Sequence, residues 1–404
     1  MKLRILFVAM AESIHTARWI SQISDRGWDL HLFPSLDFGL VHPDLRNATV
    51  YHSIYKPQKD LGRSVHIRGI PSPSGMMTYG ARAVLKKLFP SYRVSQLKHL
   101  IRKLKPDLVH SIEIQAAGYL TLAVKDQFGT KFPAWIVTNW GSDLYLFGRL
   151  SDHIGKIKRV LAECNYYSCE CQRDVFLAKQ MGLKGEVLPI MPNGGGYDLG
   201  RVQQWKQPGP VSARRLILLK GYQGWSGRAL VGLRAIELCA DALSGYRIAI
   251  YMASPEVRVA AELTSKKTGI PIDVVPHCSH EEMMHIHGQA RIYVGLNISD
   301  AISTSLLEAI VMGAYPIQSC TSCADEWIVD GESGFIVPPE DPEPIAAAIR
   351  KALSDDELVN RAAEINWKTA ESRLDENIIR PQAVAMYERV VSDSKTKYQR
   401  EGRT

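Results

Sequence analysis

The chain lacks the marks of several large protein classes. Nowhere in its 404 residues is there a run near the roughly 18 apolar residues of a membrane-spanning helix. Its seven cysteines are odd in number and scattered from Cys164 to Cys323, which argues against a disulfide scaffold and for a reducing compartment. Cys320-Thr-Ser-Cys323 has no second pair or histidine cluster at metal-ligand spacing, and reads as structural. After the first apolar run comes Met10-Ala-Glu-Ser-Ile-His15, where a dinucleotide fold would carry GxGxxG. A GxxxxGK(S/T) loop is missing too, and no Asp-x-Asp stretch has the setting of a divalent-metal site. Acids are almost absent from one long stretch. Between Lys56 and Lys105, twelve lysines and arginines face Asp60 alone, in a chain whose net charge is only +7. A solvated face rarely collects one sign so completely, so this stretch is expected to meet phosphate groups or an anionic membrane surface. Within it, Arg82-Ala-Val-Leu-Lys86-Lys87-Leu-Phe89 mixes cations and apolar residues at helical spacing. That pattern fits an interfacial helix or a solvated one with snorkelling lysines.

What is present reads as alternating strands and helices. A chain of 404 residues exceeds what one core usually serves, so two domains are expected. Met1 to Val8 is too short an apolar stretch for a signal peptide, and Glu12 and His15 interrupt it. Leu3–Ala9 therefore reads as a buried strand, followed by a helix over Ile14–Arg26 that Gly27 stops, and a strand over Trp28–Pro34. Leu97, Leu100, Ile101 and Leu104 mark an amphipathic helix ended by Pro106. Gln203–Ala213 is polar, carries Pro208 and Pro210, and suits a linker. The alternation then restarts at Leu216. Repeated βαβ signals in both halves predict an α/β protein of two facing doubly wound, Rossmann-like sheets, with ligands at the carboxyl ends of the strands. Glu376–Val391 reads as a helix broken near Pro381.

The chemistry concentrates in Asn297-Ile-Ser-Asp300-Ala-Ile302-Ser303-Thr304-Ser305-Leu-Leu-Glu308-Ala-Ile-Val-Met-Gly313-Ala-Tyr-Pro316. This is a strand end, a loop and a helix start. Unpaired amides and a positive dipole end make such a start a diphosphate site, and Ser303, Thr304 and Ser305 add hydroxyls. The same residues admit a plainer reading. Ser305-Leu-Leu-Glu308 fits a capping box, and Asp300 could favour the helix dipole.

This segment resembles the signature of the retaining glycosyltransferases of family 4, which have the GT-B fold. In that family two acids, usually both Glu, are separated by seven residues and followed by a helix of the type Leu-Glu-Ala…Gly…Pro. Leu307-Glu308-Ala309, Gly313 and Pro316 fall in register. Downstream, Asp325-Glu326, Asp330-Gly331, Gly334 to Pro338 and Asp341 follow the family pattern. Upstream, Lys105-Pro106-Asp107-Leu-Val-His110 and Leu188-Pro-Ile-Met-Pro-Asn193-Gly194 do the same. The resemblance implies an acceptor domain over 1–203, a nucleotide-sugar domain over 214–375, and a final helix over 376–404 packing back on the first domain. It implies that Glu308 bonds the donor ribose, that Asp300 faces the donor sugar, and that the amides around Ile302–Ser305 hold the distal phosphate.

Three departures stand out. Asp300 replaces the usual first Glu and is one methylene shorter. The family's Gly-Arg then Lys-Gly is replaced by Lys220-Gly-Tyr-Gln-Gly-Trp225-Ser-Gly227-Arg228, which leaves Lys220 and Arg228 as the candidate diphosphate cations. The family's N-domain histidine is replaced by Thr138-Asn-Trp140-Gly-Ser-Asp143. Asp143 is therefore expected in the site, with His15 and Glu12 beside it, although an Asp after a strand also suits a helix cap. Asn193 is expected on the donor.

The implied activity is a retaining, metal-independent hexosyl transfer from a nucleotide-sugar, a UDP-sugar foremost, to a glycan or lipid-linked acceptor in cell-surface polysaccharide or glycolipid synthesis. No cofactor, metal or nucleic acid is expected. The location is cytoplasmic, with Lys56–Lys105 resting on the membrane face. The alternatives are a sugar-nucleotide epimerase of the same architecture and a non-catalytic sugar-nucleotide-binding protein.

Overall fold

A computed structural model describes residues 2–128 and 132–401; the last three residues of the expected C-terminal segment lie outside it. The chain divides into two compact units, residues 1–195 together with 379–404, and residues 196–378.

The first unit is built on eight parallel strands: β1 (Arg4–Ala9), β2 (Asp29–Pro34), β3 (Thr49–Tyr55), β4 (His66–Pro71), β5 (Leu108–Ile112), β6 (Ala134–Thr138), β7 (Tyr166–Ser168) and β8 (Glu186–Val187). Their order is β4-β3-β2-β1-β5-β6-β7-β8. Ile5 to Ala9 of β1 are buried throughout, as the unbroken apolar run requires of a strand covered on both faces. Chain order reverses between β1 and β5, so the crevice at their carboxyl ends is the natural ligand position.

The second unit is a six-stranded parallel sheet: β9 (Leu216–Lys220), β10 (Arg247–Tyr251), β11 (Ile272–Val274), β12 (Ala290–Gly295), β13 (Tyr315–Ser319) and β14 (Phe335–Val337), in the order β11-β10-β9-β12-β13-β14. Here the reversal lies between β9 and β12. Both sheets are all-parallel and carry helical crossovers, the doubly wound class that the alternation implied.

Two expectations change in detail. The 203–213 segment lies within the second unit, where the Gln207 amide bonds the Gly288 carbonyl. The final helix is continuous over Glu376–Glu401 and contains Pro381. Pro381 is only the sixth residue of this helix, where most preceding amides lack an intrahelical partner anyway, so the ring removes one bond and not the helix. From residue 379 onward this helix belongs to the first unit, where Val384, Met386 and Val390 join Trp19 and Ile20 in the core. A buried chain of polar groups fastens it. Trp19 Nε1 donates to Tyr387 Oη at 2.7 Å, and Tyr387 Oη meets His110 Nδ1 at 2.7 Å. His110 Nε2 then reaches Thr138 Oγ1 at 2.6 Å. Burial holds His110 near a pKa of about 3, which keeps this ring neutral.

Candidate functional site

In the second unit the expected donor residues converge at the carboxyl ends of β9 and β12. The helix Thr304–Met312 starts there, with Ser303 as its N-cap in extended conformation. Ser303 makes no side-chain cap bond, and Ser305 lies inside the helix. Glu308 is its fifth residue, too deep to reach back, so the capping-box reading of Ser305 and Glu308 does not apply. The first acceptor contact is that of the Leu306 and Leu307 amides with Ser303 O. Among the described residues nothing bonds the Thr304 and Ser305 amides, which stand at the positive end of the helix dipole. Lys220, the last residue of β9, places Nζ 3.4 Å from Ser303 Oγ at this same point.

The loop after β12 is held from below by a buried polar network. Gln318 Nε2 and Ser319 Oγ donate to Asn297 Oδ1 at 3.1 and 2.9 Å, and Thr321 Oγ1 bonds Asn297 O. Asn297 Nδ2 in turn donates to Asp300 Oδ2 at 2.9 Å, while the Ala301 amide donates to Asp300 Oδ1 at 3.0 Å. Asp300 is thus anchored at the loop tip and does not cap the helix. Ile302 is a buried apolar residue between them.

Arg228 is placed differently from Lys220. Its Nε donates to Glu340 at 2.9 Å, and Nη1 donates to the Gly224 and Gly227 carbonyls. Its guanidinium is committed to its own loop, so Lys220 is the cation at the helix start. That loop approaches the backbone closely. A Cβ at Gly221 would lie 2.6 Å from Ile250 and 2.7 Å from Ala253, and one at Gly227 would overlap the Tyr222 carbonyl. The Ile298 amide donates to Ser226 O at 2.8 Å, and the Arg228 amide to Leu296 O at 2.9 Å. These bonds fix the β9 loop against the β12 loop.

Glu308 is buried, yet it meets two histidines that sequence reading did not single out. His280 Nε2 lies 3.0 Å from Oε1 and His287 Nε2 lies 3.5 Å from Oε2. Their only sequence signal is a spacing of seven on one helix, with Met284 between.

The remaining expected residues lie in the first unit, around the carboxyl ends of β1, β5 and β6. Glu12 follows β1; burial is the largest influence on its carboxyl and raises its pKa. His15 is the second residue of the helix Ile14–Ser21, its amide bonds Ser13 Oγ, and its ring meets Trp140 edge-on at 5.5 Å. Asp143 sits in the short helix Ser142–Tyr145, whose N-cap is Gly141, so it is not the cap. Its Oδ2 accepts from the Trp140 and Ile114 amides at 2.9 and 3.0 Å and so clasps the β5 and β6 loops together. Asn193 is buried, with its amide on Glu170 and its Nδ2 on the Asn139 carbonyl at 3.2 Å.

Glu113 is the residue missed here. It stands directly after β5 at φ 76° and ψ 152°, backbone that essentially only glycine adopts, at a cost of about 1–3 kcal/mol. Its carboxylate accepts from the Ala116 amide at 2.8 Å and from the Ala117 amide. Burial pushes Glu113 up to about pH 7 against those amides. Asp143 is raised too, by burial first and then by Glu113. Two buried carboxyls therefore meet at the crevice of this sheet. Strain of this kind has no sequence signature, because nothing marks a glutamate as bound for a glycine conformation.

Two family models match the chain: Glycosyl transferase 4-like over residues 81–171, and Glycosyl transferases group 1 over residues 255–368. No curated protein matches by sequence. Among solved structures, sucrose-phosphate synthase from Thermosynechococcus elongatus is 15% identical with a TM-score of 0.71, covering 97% of this chain and 100% of its own. Anabaena HepE in complex with UDP-glucose is 12% identical with a TM-score of 0.67, covering 95% and 99%. Trehalose-6-phosphate from E. coli, bound with UDP-2-fluoro glucose, is 11% identical with a TM-score of 0.66, covering 96% and 99%. Fold and family models agree on a glycosyltransferase of the GT-B fold that is family 4-like.

Proposed function

We propose that this glycosyltransferase moves a hexosyl unit from a UDP-sugar to a glycan or lipid-linked acceptor in the synthesis of cell-surface polysaccharide or glycolipid. Anomeric configuration is retained and no metal is needed. The observation that carries this reading is the convergence of Lys220 Nζ on Ser303, 3.4 Å apart, at the open start of the Thr304–Met312 helix. A nucleoside diphosphate leaving group gathers negative charge as the C1–O bond to phosphate breaks. Preorganised amides and one cation stabilise that charge without a metal. The new C1–O bond forms to the acceptor hydroxyl, whose proton passes to the departing phosphate oxygen. Asp300 is assigned to the donor sugar and Glu308 to the ribose. Asp143, His15, Glu12 and Asn193 are the first-unit residues assigned to the sugar and acceptor, with Arg228 as an outer cation. The UDP-sugars bound in Anabaena HepE and the E. coli protein favour UDP as the nucleotide.

The acceptor side is assigned to the basic segment, on the cytoplasmic face of a membrane. No described helix is long and apolar enough to cross one. The helix Gly75–Leu88 buries only Thr78, while Met76 is 87%, Tyr79 76% and Leu88 65% exposed. Exposed apolar residues interleaved with cations suit an anionic interface.

Turnover with a UDP-sugar and a polyprenyl-phosphate-linked acceptor should continue in EDTA, and proton NMR of the product should show the donor's anomeric configuration. Activity that stops with chelator and returns with magnesium or manganese would refute the metal-free mechanism. An inverted anomer would refute retention.

A further inference from the structure

A carboxylate buried in a helix is costly unless something holds it, and Glu308 Oε1 is hydrogen-bonded by His280 of a neighbouring helix at 3.0 Å, with His287 Nε2 3.5 Å from Oε2. His280, Met284 and His287 fall at i, i+4 and i+7 of the helix His280–Gln289, one face by helical periodicity, and Met284 and His287 are fully buried. His280 is the first residue of that helix. Its turn is fixed by a capping box in which the Glu282 amide donates to Ser279 Oγ and the Ser279 amide donates to Glu282. His287 is gripped between the Tyr251 and Tyr293 rings, each with its centroid 5.7 Å away. Burial lowers its pKa to about 4, so at neutral pH it lies beside Glu308 as a neutral ring.

We infer that His280 is a positioning residue that sets the Glu308 carboxylate to receive the ribose diol, and so makes this site select ribonucleotides over 2′-deoxyribonucleotides. The inference rests on the assignment of Glu308 to the donor ribose. A carboxylate offers about four lone-pair directions, so Oε1 can accept from His280 and from one hydroxyl together, and Oε2 from the second hydroxyl. A vicinal diol presents two donors side by side, and matches a carboxylate only when its plane is fixed. Removing one hydroxyl leaves a buried, charged acceptor without its partner, which discriminates far more strongly than the loss of one exposed bond. If His280 did not hold the plane, Glu308 could turn toward water and the penalty for the missing hydroxyl would fall.

Isothermal titration of the full chain with UDP and with 2′-deoxy-UDP tests this, using the ratio of the two dissociation constants. The parent should favour UDP by about tenfold or more, as expected for hydrogen bonds to a charged group. Glu308→Gln should bring the ratio close to one. His280→Ala should reduce it markedly, and His280→Gln, which restores a neutral donor, should recover most of it. His280 is partly exposed at a helix start, so these variants keep the fold, and thermal melting checks that. If Glu308→Gln keeps the parent ratio, or the parent binds neither nucleotide, the ribose assignment itself fails. If Glu308→Gln collapses the ratio while His280→Ala leaves it at the parent value, the positioning role alone is overturned.

Discussion

Replacing Lys220 by methionine should lower turnover by about 10²–10³-fold, the usual effect of deleting one preorganised group that meets developing charge. Methionine keeps the length and apolar stem of the side chain and removes only the ammonium. The loss should appear mainly in kcat, because the leaving diphosphate is more negative in the transition state than in the bound donor. Arg228→Gln is the matched control. Its guanidinium already serves Glu340 and the Gly224 and Gly227 carbonyls, so its removal should slacken the loop and cost far less. Turnover unchanged by Lys220→Met, with a large loss for Arg228→Gln, would exchange the two roles.

The second large effect concerns the membrane. Lys86→Gln with Lys87→Gln should weaken binding to anionic vesicles by roughly 30-fold, from about 1 kcal/mol per basic residue near the surface and tenfold per 1.4 kcal/mol. The structure narrows the choice of residues. Arg82 donates to the Phe38 carbonyl at 2.7 Å and to Thr78 O, so it ties the helix down. Arg93 turns inward to Asp37 at 3.5 Å and lies over the Phe33 ring. Two of the twelve cations therefore serve the fold. Vesicle binding of the parent should also fall as salt rises to physiological strength, where the screening length is about 8 Å. UDP affinity should not change. Equal binding of parent and double variant, or equal binding to neutral and anionic vesicles, would return this helix to a solvated role.

How much was legible in the sequence follows from how local each signal was. The strand, loop and helix from Ile292 to Gly313 could be read because strand end, loop and helix start are contiguous, and they emerge as β12 and the Thr304–Met312 helix. Short strands such as β7 and β14, three residues each, carry too little periodicity to be seen. The cap was off by two, since Ser303 and not Ser305 begins the helix. A run of three hydroxyl residues offers three equally good caps. The histidines around Glu308 were invisible for another reason. Twenty-one residues separate His287 from Glu308, and only the packing of two helices brings them together. Likewise the ranking of Lys220 over Arg228 required Glu340, over a hundred residues away.

On the proposed function, this chain transfers sugar from a nucleotide-sugar donor. Incubation with a panel of sugar nucleotides, with and without a lipid-linked or glycan acceptor, tests it most directly when free nucleotide and sugar identity are read together. The predicted result is release of free UDP from one UDP-sugar, increased by acceptor, with the sugar recovered on the acceptor. Recovery of an interconverted sugar without acceptor, or tight binding of a sugar nucleotide with no release across the whole panel, would contradict it.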